Sequence, residues 1–498
     1  MLDFIFTAAA GLYITGTMFV VIFVSGFGLL LLIYLLTRSR RPQPPVFNEA
    51  DLLSVTVQLP IYNEAHVVDR LMDACVRLDY PQHKLFIQVL DDSTDHTSDL
   101  IAARVCALHQ QGFINISHIQ RQHRDGYKAG ALAYGTARVC TDCVVIFDAD
   151  FVPPPDFLRR TMPYFNTNPR LSLIQTRWDH LNRRTNWLTH AQALSIDAHF
   201  GIEQVARSRG HLPMSMNGTG GIWRVEAIRD AGGWSARTLT EDMDLSYRAF
   251  MRGWEFLYLV DVTVPGELPP LVRAYKLQQA RWATGSTQCL LRHSIALLGH
   301  QRLSLLKKLM GTLHLAQYAI QPVILLLFLL SPVLIAGEMF QRLPGLRIMA
   351  LAGLIPPLLI TVGQIELHHN WRANLLYFPV QVMAAVAIVL NNSLAVVAAF
   401  LPRQHEFKRT PKFDDVEQHT ALRRRRRAWQ RSQYLPAGVD AVTYGELVLA
   451  AYAFIGLLLA WQLMPALVPY MLTYAVSFLV FAVWNLIQGW QSRNRNSR

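Results

Sequence analysis

Charge is what this chain has little of. Charged residues make up 16% of its 498 positions, where soluble domains carry roughly 25%. A wholly soluble protein is thereby excluded, and much of the chain has to sit in lipid. Cysteine is sparse as well. The five, Cys75, Cys106, Cys140, Cys143 and Cys289, form an odd and scattered set, which argues against a disulfide framework. Cys140 and Cys143 have CxxC spacing, but no second pair or histidine cluster completes a metal site, so they read as thiols near a strand start. No internal repeat or low-complexity linker interrupts the chain. Acids are fewer than bases, and the net charge is +12. A basic balance suits nucleic acid or an anionic membrane surface. Beside long apolar runs it points to membrane lipids, with no nucleic-acid partner expected.

Residues 4–37 contain no Asp, Glu, Lys or Arg. A spanning helix needs roughly 20 apolar residues, so this stretch crosses once. It is too long for a signal-peptide core and ends on Arg38, Arg40 and Arg41. Those charges put the following region in the cytoplasm and the N-terminus outside. Residues 309–337, 348–365, 373–402 and 447–492 are also free of charge, and the last run is broken by Pro465 and Pro469 into a hairpin of two spans. If every run crossed, the loop 403–431 would lie outside, although it holds ten Lys/Arg against four Asp/Glu, including Arg423–Arg427. Basic loops stay in the cytoplasm. The conflict disappears if 373–402, with Asn391 and Asn392 near its middle, lies in the interface. Five spans result in an integral inner or plasma membrane protein, with the soluble region, the basic loop and the tail cytoplasmic. The run Arg423–Arg427 then acts as a stop signal that also contacts anionic lipid. The expected divisions are 1–41 (first span), 42–308 (soluble domain), 309–402 (hairpin and interfacial helix), 403–441 (basic loop) and 442–498 (second hairpin and tail).

Residues 42–300 alternate strand-like and helix-like stretches. Ser54–Leu59, Leu85–Leu90 and Val144–Phe147 read as strands, with helices such as Glu64–Leu78 and Ser98–Gln110 between them. This rhythm implies an α/β fold, a mostly parallel sheet with helices on both faces. Ligands bind such sheets at the carboxyl ends of the strands, and there the acids cluster. Asp148 and Asp150, two apart after an apolar strand, point to one side by strand geometry and can hold a divalent ion with phosphate oxygens and water. Such an ion neutralises charge growing on a diphosphate leaving group. Asp91 and Asp92 end another strand, where a carboxylate accepts from a base N–H or a ribose hydroxyl, or caps the next helix. Tyr62 and Glu64 end the first strand within reach of a nucleotide. Asp242, in Thr240-Glu241-Asp242, stands at an expected helix start. A carboxylate there can act as general base on an acceptor hydroxyl, and it also suits a first helical turn. Gln278 and Arg281 share one helical face. Arg281 can approach a diphosphate, and the Trp282 ring can stack on a sugar.

Together these motifs (Asp91-Asp92, Asp148-Ala149-Asp150, Thr240-Glu241-Asp242 and Gln278-x-x-Arg281-Trp282) resemble those of the membrane-embedded family-2 glycosyltransferases, which include cellulose, hyaluronan and plant-type mannan synthases. The resemblance covers about residues 50–490. Asp125–Gly130 is similar to the family's donor-binding lysine segment, with Lys128 in place, and Asn217–Arg224 to the acceptor-side segment of the mannan-synthase branch. Phe407–Lys412 resembles the FxVTxK gating loop, with Arg409 where the family has Val. The resemblance implies a GT-A domain inserted between membrane helices. It implies a hexosyltransferase that uses a UDP- or GDP-linked sugar and inverts the transferred centre. Asp91 or Asp92, Tyr62, Glu64, Lys128, Asp148, Gln278, Arg281, Thr410 and Lys412 would bind the donor. Asp148 and Asp150 would hold Mg2+ or Mn2+. Asp242, with Glu241 and Asp150, would carry the chemistry, and Trp282 and Asn217 would meet the acceptor. That acceptor is a growing β-linked glycan or, alternatively, a diacylglycerol or ceramide. No domain that would bind cyclic-di-GMP is recognisable, so no built-in control by that nucleotide is expected.

Overall fold

A computed structural model describes residues 2–343, 345, 349–401, 409–414, 434 and 439–496. Phe407 and Arg423–Arg427 lie outside the described residues.

The sheet has seven strands: β1 (Val55–Ile61), β2 (Leu85–Asp91), β3 (Ile116–Gln120), β4 (Cys143–Ile146), β5 (Leu171–His180), β6 (Gly221–Arg224) and β7 (Glu255–Gly266). They lie in the order β3-β2-β1-β4-β6-β5-β7, and β6 alone runs against its neighbours. The expected parallel core is present in β1 to β4. Val55, Val57 and Leu59 of β1 are fully buried, as expected of a central strand covered on both faces. Each such side chain contributes roughly 1.5–3 kcal/mol on leaving water.

Register decides what meets at the sheet's carboxyl edge. Ile61 pairs with Asp91, so Tyr62 and Asp92 leave the sheet side by side. Ile146 of β4 pairs with Gln58, so β4 stops short and Asp148 and Asp150 sit in the turn beyond it. Alternation along a strand is therefore not what brings the two carboxylates together. Gly221 of β6 pairs with Ile146, which sets the preceding Asn217–Gly220 turn against them. His180 of β5 pairs with Gly266 of β7, which places Glu267 at the same edge.

Helices α1 (Leu2–Thr37), α2 (Val68–Val76), α3 (Thr97–Gln110), α4 (Tyr127–Thr136), α5 (Trp187–Ala198), α6 (Glu241–Met251) and α7 (Val272–Gly299) precede or surround the sheet. The second of these is shorter than the sequence pattern suggests, because Glu64–Val67 form a turn. Beyond them come α8 (Leu305–Leu315), α9 (Ile320–Ala336), α10 (Ile355–Leu367), α11 (Phe378–Ala387), α12 (Val389–Ala399), α13 (Ala441–Leu463) and α14 (Val468–Asn496).

Among the described residues four helices are long and apolar enough to cross a membrane. Two bent pairs, α8 with α9 at 66° and α11 with α12 at 41°, would raise the number to six if each is one span. The expected five lies between. At 1.5 Å per residue, the 36 residues of α1 exceed a hydrocarbon layer of roughly 30 Å. The C-terminal turns of α1 pack against the region that carries the sheet. Leu30 and Tyr34 join Leu194, Val205 and Tyr258 in one buried cluster, and Arg209 Nη1 donates to Thr37 O at 3.0 Å.

Candidate active site

One cavity opens at the carboxyl edge of the sheet. Every residue singled out from the sequence as a site residue lines it except Asp91. Asp91 is 2% exposed and turns inward. Its carboxylate accepts from Ser93 N at 2.8 Å, Ser98 Oγ at 2.5 Å and His118 Nε2 at 2.8 Å. Burial alone would raise its pKa, but these donors outweigh burial and bring it down to about 2. Asp91 therefore clamps β2 to β3 while its neighbour Asp92 faces the cavity. Asp92 itself is held by both arms of Arg121. Neither acid caps α3, which starts at Thr97 without a side-chain cap.

Lysines sit on the paired carboxylates. Lys128 Nζ lies 2.6 Å from Asp148 Oδ1, 2.8 Å from Gly218 O and 3.7 Å from Glu241 Oε1. Lys412 pairs with Asp150. Burial pushes the Asp150 carboxyl up, and Lys412 opposes that. Glu64 is buried beside them. Its carboxyl is pushed up to about 7 by burial, against the pull of Lys412 and Arg409. These cations stand where an anionic ligand and its counter-ion would be received.

The segment Arg409–Asp414 is strapped across the same edge. Arg409 Nη1 donates to the carbonyls of Tyr62, at 3.0 Å, and Asn63. Asp414 Oδ1 meets Arg70 Nη1 at 2.5 Å, and Arg70 also holds Glu267 at 2.6 Å. The arginine that departs from the family's loop pattern thus makes contacts a valine cannot.

Asp242 lies at the start of α6. Thr240 does not cap this helix. Its hydroxyl instead meets Cys289 Sγ at 3.4 Å on α7. Asp242 Oδ1 accepts from the next backbone N–H, Met243 N, at 2.9 Å. Burial and the adjacent Glu241 raise the Asp242 carboxyl to about 7, with Lys128 and Arg281 pulling the other way. Two residues on, Asp244 is wholly buried between Arg248 at 2.7 Å and His293 Nε2 at 2.8 Å, which ties α6 to α7.

Gly218 separates the two charges. Its φ is +79°, and a Cβ there would lie 3.4 Å from Asp242 Oδ2 and 3.7 Å from Lys128 Nζ. The left-handed backbone costs an ordinary residue about 1–2 kcal/mol. Gly218→Ala is expected to lower the thermal midpoint and to reduce turnover roughly tenfold or more, a barrier rise of about 1.4 kcal/mol. Melting curves and rates on the same preparation test this. A variant with the parental rate would show that the methyl is accommodated.

Asn217 is fixed on three sides. Its N–H donates to Gln175 Oε1 at 3.0 Å, its Oδ1 accepts from Gln204 at 2.7 Å, and its Nδ2 lies 3.1 Å from His199 Nε2. His199 opens a π-helical turn, His199–Glu203, a feature frequent at functional sites.

Residues 53–285 match the family described as glycosyltransferase like family 2. This region is a family-2 glycosyltransferase domain. The probable glucomannan 4-beta-mannosyltransferase 2 of Oryza sativa subsp. japonica is 41% identical over 292 residues, 57% of this chain and 50% of the rice protein. Glucomannan 4-beta-mannosyltransferase 2 of Arabidopsis thaliana is 46% identical over 249 residues, 48% of this chain and 47% of that protein. The chain spans about half the length of the curated relatives it matches. A solved mannosyltransferase from Pyrobaculum calidifontis, in complex with GDP-Man and Mn2+, superposes with a TM-score of 0.51 at 18% identity, covering 80% of this chain and 99% of that one. That likeness concerns the fold, which is of the GT-A type expected.

The family-2 domain also brings residues to the cavity that the sequence reading missed. Arg124 stands 3.4 Å over the Tyr62 ring, and Trp178, Asp179, His180 and Glu267 line the wall, with Arg409 beside them from outside the family-2 region. Trp178–His180 end β5 as Asp91 ends β2, so the same strand-end logic could have found them.

A second cavity adjoins the first. Asn217, Asp242, Gln278 and Trp282 line both. From there the second runs between α5, α7, the α8–α9 junction and α11, past Ser195, Gln279, Gln317, Tyr318 and Gln381.

No group of three or more His, Cys, Asp or Glu that could hold a metal occurs among the described residues. At the cavity the protein offers a cation the pair Asp148 and Asp150. These are hard oxygen donors that suit Mg2+ or Mn2+ once phosphate oxygens and water complete the shell.

Proposed function

We propose that the chain is a membrane-integrated, inverting β-mannosyltransferase that takes mannose from GDP-mannose and extends a β-linked glycan processively. The observation that carries this reading is the pair of adjoining cavities, which lead from the paired carboxylates past Asp242 and Trp282 to the apolar helices α8 and α11. The inner wall sets the glutamine amides of Gln192, Gln279, Gln317 and Gln381 beside the rings of Phe200, Tyr275 and Tyr318, a mixture that can meet both the hydroxyls and the apolar faces of sugars. The choice of donor rests on the relatives, which are named glucomannan 4-beta-mannosyltransferases.

In this mechanism the nucleotide lies at the ends of β1 and β2, along Tyr62, Glu64 and Asp92. Lys128 and Lys412 exchange their carboxylate partners for the diphosphate, Gln278 and Arg281 reach it from α7, and Thr410 stands beside them on the strap. A divalent ion held by Asp148 and Asp150 would neutralise charge on the departing diphosphate. Trp282 stacks the terminal sugar of the acceptor, and Asn217 fixes its orientation. Asp242 takes the proton from the acceptor hydroxyl, whose oxygen bonds to the anomeric carbon as the bond to the diphosphate breaks. The stereocentre inverts, GDP leaves, and Asp242 holds the proton until solvent removes it. Glu241 keeps Lys128 charged next to the base.

The base must be unprotonated to act. Its carboxyl is raised to about 7, so turnover is expected to climb as pH rises through that value and to fall below it. A pH–rate profile flat between about pH 5.5 and 8 would remove Asp242 from the role.

The function is tested by incubating the chain in lipid vesicles with labelled GDP-mannose and, separately, UDP-glucose. The expected product is an insoluble polymer made from GDP-mannose and degraded by β-mannanase. Polymer made from UDP-glucose alone would move the donor assignment. A chloroform-soluble lipid bearing one sugar as sole product would replace glycan extension by glycolipid synthesis.

A further inference from the structure

No described residue of the C-terminal helices α13 and α14 lines either cavity. Yet these two helices hold a buried charge that belongs to the site helix. Lys276, in the second turn of α7, has a side chain 3% exposed. Its Nζ lies 2.6 Å from Glu446 Oε2 and 3.2 Å from Thr443 Oγ1 on α13, and 3.6 Å from Asp440 Oδ1. Asn485 of α14 completes the cluster by donating to Asp440 Oδ2 and Thr443 Oγ1, each at 2.7 Å.

We propose that Lys276 is a positioning residue for transfer: its buried ion pair with Glu446 sets the height and rotation at which α7 presents Gln278, Arg281 and Trp282 to the cavity.

The backbone of α7 is grasped at the same level. Lys276 O accepts from Asn391 Nδ2 on α12 at 3.1 Å, and Val272 N donates to Gln488 Oε1 on α14 at 3.1 Å. Phe481 of α14 packs in one cluster with Val272 and Tyr275. A helix is stiff, with 1.5 Å rise and 3.6 residues per turn. Fixing residue 276 therefore fixes residues 281 and 282, about one and a half turns on.

Apolar contacts alone would hold α7 against the hairpin but would let it slide or turn at small cost, because lipid-like surfaces are interchangeable. An ammonium drawn away from its carboxylate in such surroundings leaves two uncompensated charges, which is strongly unfavourable. The ion pair thus admits one register. Charged side chains within membrane segments are expensive to keep, and their presence asks for a role. Glu446 is fully buried, lines neither cavity and meets the site helix at Lys276. The hairpin therefore acts on the reaction from outside the cavity.

The test uses the full chain in lipid nanodiscs with the variants Lys276→Met, Lys276→Arg and Glu446→Gln. Three quantities are read: hydrogen exchange across 278–284, GDP affinity, and kcat and KM for transfer. In Lys276→Met, exchange across 278–284 is expected to speed up about tenfold or more and the GDP Kd to weaken, because Gln278 and Arg281 face the diphosphate, while amides of β1–β4 stay within about twofold. The kcat is expected to fall about tenfold or more, and Lys276→Arg, which keeps the charge, restores most of it. Should Lys276→Met lose the protection of β1–β4 through misfolding, Glu446→Gln decides the matter. It leaves Lys276 with Asp440 and Thr443, and the same changes are expected there on a smaller scale.

Unchanged exchange across 278–284 in the surviving variants would overturn the proposal. So would protection of β1–β4 lost in step with that of α7 in both Lys276→Met and Glu446→Gln, which marks general unfolding rather than a misplaced helix. The kinetic arm rests on the mannosyltransferase reading, but the exchange arm does not. A parental chain that transfers no mannose refutes that reading alone.

Discussion

Asp242→Asn is expected to lower kcat by about 10²–10⁴-fold, the contribution typical of a positioned general base, while GDP binding is retained. The carboxyl lines both cavities, where in the proposed mechanism an acceptor hydroxyl from the membrane side would meet a donor from the sheet side. Asparagine keeps the shape and can still accept from Met243 N, but cannot take a proton. The same change should stabilise the fold. The Asp242 carboxyl is raised from 3.8 to about 7 by burial, so between those values the folded state binds more protons than the unfolded state. Stability from this group is present below the unfolded pKa and is lost as pH rises through the folded one. Above about pH 7 the buried charge is a cost, and the neutral amide of the Asp242→Asn variant removes it. A higher thermal midpoint at about pH 8 together with a collapsed kcat is the expected pair of results, read from melting curves and initial rates. Full transferase activity in the variant would end the assignment of Asp242 as base.

The second large effect is expected at Asp150. Asp150→Ala should abolish metal-dependent turnover. Loss of the metal's several kcal/mol of charge stabilisation corresponds to about 10²–10⁴ in rate, at about 1.36 kcal/mol per decade. Two observations make this site sensitive. The carboxylate is only 4% exposed, so water cannot replace it, and Lys412 is paired to it, so its removal leaves a buried ammonium uncompensated. Asp148 is more open and has a separate partner in Lys128, so Asp148→Ala should weaken donor binding more than it disturbs the strap. Titration with Mn2+ and GDP, by calorimetry on both variants, separates the two. Turnover that persists in chelator would remove the metal from the reaction.

The motifs were legible from sequence because their chemistry is local. Val-Val-Ile-Phe followed by Asp148 and Asp150 is an apolar strand that runs into acids, and in a parallel sheet all such ends face one edge. The strand-end rule therefore placed Tyr62, Glu64, Asp92, Asp148 and Asp150 at the cavity, while Asp242, Gln278, Arg281 and Trp282 came from helical patterns and Lys128, Asn217, Thr410 and Lys412 from the family resemblance. It failed at Asp91 for a definite reason. Asp91 and Asp92 are adjacent, so they leave the strand in opposite directions, and only the packing of β3 and α3 decides which one faces the cavity. His118, Ser98 and Ser93 claim Asp91, which leaves Asp92 to the ligand side. The carboxylates of Asp148 and Asp150 were expected to meet through strand alternation. The short pairing of β4 with β1 puts them in a turn instead.

Contacts between distant segments were beyond the reach of sequence. Nothing near residue 409 announces that Arg409 will bind the carbonyls of Tyr62 and Asn63, on the far side of the whole domain in chain order. Nothing near residue 276 announces Glu446. Likewise the charge pattern argued for five membrane crossings, while the described residues show four clear candidates and two bent pairs.

By itself, then, the sequence determined the α/β class, the apolar segments and the acidic, basic and aromatic groups that a sugar transfer requires, because hydropathy and strand-end position act over a few residues. Only the tertiary structure decided which acid faces the ligand, which cations neutralise the carboxylates, and how the site helix is held from the membrane side. Each of those depends on which side chains burial forces together, and burial is a property of the whole packed chain.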